Sequence, residues 1–332
     1  MSNGRIDLIR RRDVLGILAG LAIGARAVHA QERRVPVIGY LCAESAALFA
    51  SRLRAFREGL SEAGFVEGRN VRIEYQWADG HYERLPALAA TLVEKNVEVI
   101  VAPGGAPAAL AAKAAARGKT VVFEMGGDPV QLGVVESLSR PGGNITGVSS
   151  LSVDVSPKRL ELMHELIPAA ARLAVAVNPT SPTASSQLAR LSSAAKSLGI
   201  QLQVLHARSE SDFEPLFAAV AEGEGIVFTS DPYFAFRSEA LAALALRFRV
   251  PAIAQSRDFP AAGGLMSYGG DFAQSHRRAG MYAGRVLKGA NPNDLPVQLV
   301  TKVELIINLK TAARLGRDFP PSLIAGADEV HE

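Results

Sequence analysis

The sequence predicts an α/β protein made of two doubly wound parallel-sheet lobes joined by a hinge. Three observations predict it. Short runs rich in Val, Ile and Ala alternate with longer amphipathic runs along most of the 332-residue chain. The strand-like runs are apolar throughout rather than at every second residue, as in parallel strands covered on both faces. The alternation starts afresh after a changeover near residues 146–155, so a chain too long for one hydrophobic core divides between two.

Element by element, Val35 to Leu41 reads as a strand, Leu48 to Ala63 as a helix, Val71 to Trp77 as a strand and Tyr82 to Lys95 as a helix. Val97 to Ala102, Ala106 to Ala116, Thr120 to Glu124 and Val130 to Leu138 continue as strand, helix, strand and helix. Gly64 and Gly68 end the first helix, Asp79-Gly80 closes the second strand, and Pro141-Gly142-Gly143-Asn144 follows the fourth helix. The second series runs Pro157 to Ile167, Arg172 to Val177, Ala184 to Leu198 with Gly199 at its end, and Gln201 to Leu205. Asp212 to Ala221, Gly225 to Phe228, Tyr233 to Phe248, Pro251 to Ala254 and Gly264 to Tyr268 follow. Phe272 to Lys288 is a further helix, and Val297 to Asn308 is strand-like. The expected division is 31–149 plus about 270–300 for the N-terminal lobe, and 150–269 plus about 301–332 for the C-terminal lobe.

Residues 1–30 read as an export signal. Arg10-Arg11-Arg12 precede a short apolar run to about Ala25, and Val28-His29-Ala30 place small residues before Gln31. A basic head, an apolar stretch of roughly 7–15 residues and a small-residue cut describe a secretory signal, and the twin arginine points to the Tat route. The run is shorter than the roughly 20 residues a spanning helix needs, so no stable membrane insertion is expected after cleavage. Removing the segment takes Arg5, Arg10, Arg11, Arg12 and Arg26 from the 36 basic residues, and Asp7 and Asp13 from the 33 acidic ones. The mature chain is then close to neutral, without the basic footprint of a nucleic-acid binder. The single cysteine, Cys42, lies in an apolar strand and reads as a buried, inert thiol.

Open α/β sheets bind ligands beyond the carboxyl ends of their strands, here in a cleft between the lobes. In the first lobe those ends bring Gly104, Gly105 and Ala106, and then Gly127, Asp128 and Val130. Glycines there let a solute approach backbone N–H groups at helix N-termini, which favour a carboxylate; the same glycines also serve tight turns. Asp231 could pair with a solute ammonium or N-cap the helix beginning at Tyr233, with Pro232 at its first position. Asp128 faces the same choice, with the cap favoured. Asn178 and Thr180 offer amide and hydroxyl contacts or caps. Tyr233 and Tyr268 are the aromatic candidates for the cleft, while the spacing of Phe234 suits a core. His81, His164, His206, His276 and His331 show no metal-ligand spacing, and no phosphate loop, dinucleotide fingerprint or nucleophile elbow is present. No cofactor, metal or catalytic residue is expected.

The segments Gly104-Gly105-Ala106-Pro107-Ala108-Ala109-Leu110, Gly126-Gly127-Asp128-Pro129-Val130 and Ser139-Arg140-Pro141-Gly142-Gly143-Asn144-Ile145-Thr146-Gly147-Val148 resemble those of the periplasmic substrate-binding proteins of ABC transporters, of the tryptophan/tyrosine type. Pro157-Lys158-Arg159-Leu160-Glu161-Leu162, Gly263-Gly264-Leu265-Met266-Ser267-Tyr268-Gly269, Leu309-Lys310-Thr311-Ala312, Pro320-Pro321-Ser322-Leu323 and Ala327-Asp328-Glu329-Val330 extend the resemblance over nearly all the mature chain. It differs at Pro103, where the family often has a small polar residue before the paired glycines. The resemblance implies a type I periplasmic-binding-protein fold and an exported, periplasmic receptor that closes on a small solute. It also implies handover to an ABC permease with its ATPase. A carboxylate-bearing solute such as an amino acid, aromatic ones included, fits this reading. The alternatives are a sensory receptor of the same fold feeding a membrane signalling protein, and a secreted enzyme.

Overall fold

The computed structural model describes residues 35–332. The expected signal at 1–30 lies outside the described residues. Residues Pro36–Glu332 form one compact unit, built from two sheets with their helices.

The first sheet is entered through β1 (Val37–Cys42), α1 (Ala50–Glu62), β2 (Arg72–Trp77), α2 (Leu85–Glu94), β3 (Val99–Ala102), α3 (Gly105–Ala115), β4 (Thr120–Gly126) and β5 (Ile145–Ser150). The chain then builds the second with α4 (Ser156–Leu166), β6 (Arg172–Val177), α5 (Ala184–Leu198), β7 (Gln201–His206), α6 (Phe213–Ala218) and β8 (Ile226–Phe228). Next come α7 (Pro232–Ala235), α8 (Ser238–Arg247), β9 (Ala252–Ala254), α9 (Asp258–Ala261) and β10 (Met266–Gly270). It returns for α10 (Phe272–Leu287) and β11 (Gln298–Val300), then finishes with β12 (Val303–Asn308), α11 (Leu309–Arg314), α12 (Pro321–Ala325) and β13 (Glu329–His331).

The strand orders are β11-β5-β4-β3-β1-β2 and β13-β12-β10-β9-β8-β6-β7. Every pairing is parallel except β10 with β12. Each sheet therefore reverses its winding once, between β1 and β3 in the first and between β6 and β8 in the second. Such a reversal leaves a crevice at the carboxyl ends of the strands. Both sheets are covered on two faces. The first packs Leu41, Ile100 and Phe123 on one side and Ile38, Tyr40 and Val101 on the other; the second packs Val175 and Ile253 on one side and Ala174 and Phe228 on the other. Cys42 ends β1 fully buried, and desolvation pushes its thiol pKa well up, so the inert reading holds.

Several elements differ from the sequence reading. Val130 to Leu138 is not a helix: it is a string of turns. Asp128 Oδ1 accepts the N–H groups of Val130 and Gln131, at 2.8 and 3.2 Å, and Gly133 sits at φ +65°, which no helix accommodates. The changeover at 146–155 contains strand β5, buried along its whole length. The expected helix from Tyr233 to Phe248 is interrupted between α7 and α8, and the strand from Val297 to Asn308 is two strands that pair with different sheets.

A candidate solute site between the lobes

The carboxyl ends of the two sheets face each other across a cavity of about 40 Å³, room for only a few waters. From the first sheet come Gly104, Gly105 and Ala106 after β3, and Glu124 and Gly126 from β4. From the second come Ser181 and Thr183 after β6, Ser230 and Asp231 after β8, and Gln255 after β9. The lobes already touch: Tyr82 Oη donates to Asp231 Oδ1 at 2.8 Å, Arg237 Nη1 donates to Glu44 Oε2 at 3.1 Å, and Phe49 and Phe236 rings pack at 5.2 Å. This is a closed arrangement.

Asp231 is buried to 1 % exposure. Its Oδ1 caps α7 by accepting Tyr233 N–H at 2.9 Å, and also accepts Tyr82 Oη–H and Asn178 Nδ2–H, the latter at 3.2 Å. Its Oδ2, equally buried, makes no hydrogen bond of ordinary geometry among the described residues, although the Ser181 hydroxyl is close enough to the carboxyl to favour its charged form. Burial raises the Asp231 pKa, opposed by the neighbouring hydroxyls, amide and N–H. The cap expected for this residue is made by Oδ1, and the residue also lines the cavity.

The other candidates divide. Gly104, Gly105 and Ala106 line the cleft and open α3, whose first-turn N–H groups have no intrahelical acceptor. Gly127 is buried beside Val153 and Thr183, with its carbonyl accepting Ser149 Oγ–H at 2.9 Å, and opens no helix. Asp128 is exposed and caps its turn. Asn178 is buried and orients Asp231, while the exposed Thr180 donates its hydroxyl to Asn178 Oδ1 at 2.7 Å. Tyr233 packs against Phe213 and Phe234 under the Arg237 guanidinium, inside the second lobe. Tyr268 leans on that lobe's core and a surface depression beside Lys158 and Asp328. Neither tyrosine lines the cavity: Tyr268 lies within β10, where alternation decides which face it takes, and Tyr233 lies in α7 with its ring against Phe213.

Sequence reasoning missed a set of buried polar residues. Arg159, on α4, is fully buried without a carboxylate. Its Nη1 donates to Ser152 O and Tyr268 O, at 3.1 and 2.9 Å, and Nη2 to Ser230 Oγ at 2.6 Å. Ser230 in turn donates to Ser152 O. Desolvation lowers the Arg159 pKa to about 9. Gln187 Oε1 accepts Ser230 N–H at 2.7 Å, so Ser230 is held from three sides. Their sequence signal is weak: a polar residue at helical spacing within an otherwise apolar face.

Glu124 and His276 form a second buried pair at the first-lobe wall. Glu124 Oε1 accepts Ser275 Oγ–H at 2.8 Å and Oε2 lies 3.5 Å from His276 Nε2. His276 Nδ1 is 2.7 Å from Phe272 O, which we assign as its N–H donor contact. Desolvation raises Glu124 from 4.5 to about 7 and lowers His276 from 6.5 to about 3. Between pH 4.5 and 6.5 the folded pair then holds one proton, on Glu124, and the unfolded chain also holds one, on His276. Their contributions to the pH dependence of stability cancel there. Glu124→Gln removes one side of that balance. The depressed folded pKa of His276 then acts alone, so stability is present above pH 6.5 and falls as the pH drops towards 3. The expected loss is about 1 kcal/mol per pH unit below 6.5, read from urea unfolding at pH 4.5, 5.5 and 6.5. A variant with the wild-type pH profile refutes these opposed shifts.

Similarity to known proteins agrees with this architecture. A tyrosine-binding protein of Clostridioides difficile (strain R20291) is 27% identical over 264 residues, covering 79% of this chain and 75% of that protein. The crystal structure of a conserved domain protein from Vibrio cholerae O1 biovar El Tor superposes with a TM-score of 0.82 at 27% identity, covering 90% of this chain and 100% of that one. An ABC domain in complex with L-Trp from Streptococcus pneumoniae gives 0.78 at 24% identity over 89% of this chain and 99% of that one, which speaks for the fold. The family profile described as ABC transporter substrate binding protein matches residues 42–331, so the chain belongs to the ABC transporter substrate-binding proteins and has their two-lobed, type I periplasmic-binding-protein fold.

Proposed function

We propose that this protein binds an amino acid in the cleft between its lobes and delivers it to a membrane permease powered by an ATPase. The observation that carries the reading is Asp231, a buried carboxylate that lines the cavity and whose Oδ2 makes no hydrogen bond of ordinary geometry among the described residues. A buried charge calls for a counter-charge, and a solute ammonium supplies it. Across the cavity, the first-turn N–H groups of Gly105 and Ala106 suit the solute carboxylate, helped by the positive end of α3. The tyrosine-binding relative and the L-Trp complex favour an aromatic amino acid.

A thermal-shift screen of L-amino acids against their N-acetyl and amide derivatives tests this. A solute at 100 times its Kd stabilises by about 2.7 kcal/mol; the free amino acid should do so and both derivatives should not. Stabilisation by an N-acetyl derivative as strong as by its parent removes the ammonium from the reading.

The delivery role places the mature protein in the periplasm, exported by the twin-arginine signal and starting at Gln31. Arg11→Lys with Arg12→Lys should abolish export, and N-terminal sequencing of periplasmic protein should begin at Gln31. Undiminished export of the double variant rules out the Tat route.

A further inference from the structure

The cleft shares Arg52 and Phe272 with a second cavity of about 140 Å³ on its outer side. Arg52 is the wall between them. It projects from the first turn of α1 with 8 % exposure, and its guanidinium carbon lies 4.4 Å from the ring centroid of Phe236 and 4.5 Å from that of Phe272. The two rings come from different lobes, Phe236 from the end of α7 and Phe272 from the start of α10. Between them is a slot shaped for a flat group, and the planar guanidinium fills it. Its polar contacts point the other way. Arg52 Nη2 donates to Ser256 Oγ at 3.3 Å and to Asp258 Oδ2 at 3.4 Å, long bonds to residues lining the outer cavity.

With Arg52 in place, the cavity of about 40 Å³ leaves no room for an aromatic ring. We infer that Arg52 sets the size of side chain the cleft admits: a solute with a planar side chain takes the slot between Phe236 and Phe272 by displacing Arg52 into the outer cavity, where Asp258 keeps its charge paired. The inference rests on the amino-acid reading above and deepens it. A ring in the slot has an aromatic face on either side, an arrangement rings favour at centroid separations of about 4.5–7 Å. The displaced guanidinium moves towards the partners it already touches. Small amino acids leave Arg52 where it is, so Arg52 acts against large solutes and not against small ones.

Calorimetric titration of the wild type, Arg52→Ala and Arg52→Met with alanine, tyrosine and tryptophan tests this. Arg52→Ala empties the slot and should raise the affinity for tyrosine and tryptophan relative to alanine about tenfold or more. Arg52→Met refills it without charge and should leave the ratio near that of the wild type. If Arg52→Ala weakens all three solutes alike, Arg52 is a direct partner of the solute carboxylate and the inference is overturned. If no protein binds any of the three, the amino-acid reading fails on its own, and the slot is judged with the side-chain analogues p-cresol and 3-methylindole. These should raise the Tm of Arg52→Ala and leave the wild type unchanged; no shift in the variant overturns the slot. Arg52→Ser carries the same expectations should Arg52→Ala not fold.

Discussion

Asp231→Asn should lower the affinity for an amino acid by a factor of 100 or more while leaving the fold in place. The asparagine keeps an oxygen for Tyr233 N–H and Tyr82 Oη–H, so the cap of α7 and the contact across the cleft survive. What it loses is the negative charge of a buried carboxylate that lines the cavity. Breaking a buried ion pair by removing one partner costs about 3–5 kcal/mol, which corresponds to roughly 100-fold to several thousand-fold in Kd. A solute of the same shape that lacks the amine should lose far less. Asp231→Ala should add a stability defect from the lost cap, typically about 1 kcal/mol. Calorimetry with an amino acid and its deaminated analogue decides the matter, and equal losses for both would reduce Asp231 to a helix cap.

Gly59→Val should destabilise the ligand-free protein by about 3 kcal/mol, at or above the upper end of ordinary overpacking. Helices α1 and α10 meet backbone to backbone. A Cβ on Gly59 would run into the carbonyl of Arg277, and one on Gly280 into the carbonyl of Phe56 and the nitrogen of Leu60. Neither obstacle is the tip of a flexible side chain, so the helices must part. Because α10 also carries Phe272, Ser275 and His276, that displacement should weaken solute binding in the folded fraction. Urea unfolding measures the first effect, with the exposed Arg54→Ala as a neighbour expected to stay within about 0.5 kcal/mol of wild type. A Gly59→Val protein as stable as that control shows that the helices can separate without cost.

The alternation of apolar strands and amphipathic helices made the architecture legible, because parallel strands buried on both faces cannot hide their composition. Strand β5 escaped because Ile145–Ser150 carries Thr146, Ser149 and Ser150 in a wholly buried run. Thr146 Oγ1 donates to Leu295 O and Ser149 Oγ to Gly127 O, so long-range partners satisfy groups that look solvent-facing in sequence. The strand-end rule pointed to Gly104 to Ala106 and Asp231, which do line the cavity, since it depends only on where strands stop. It could not find Arg52 or Phe272, which reach the cleft from helices far apart in the chain. Arg52 shares α1 with Arg54, Arg57 and Glu58 and reads as one more surface charge until the second lobe covers it. Tyr233 and Tyr268 failed for the opposite reason: their positions are near the cleft, but their rings pack into or behind the second lobe.

Among the described residues, the chain passes between the two sheets three times, after β5, after β10 and after β11. Synthesis therefore cannot finish one half before starting the other. The first sheet is entered at Val37, yet its edge strand β11 and the helix α10 that packs on α1 are made only after the second sheet has most of its strands. The second sheet waits for β12 and β13, which follow all its other strands. At about 5–20 residues per second, the early segment spends many seconds with the face that α10 will cover still open. A nascent chain stopped short of residue 298 would leave both sheets missing edge strands, so the final stretch of roughly three dozen residues completes the two halves together.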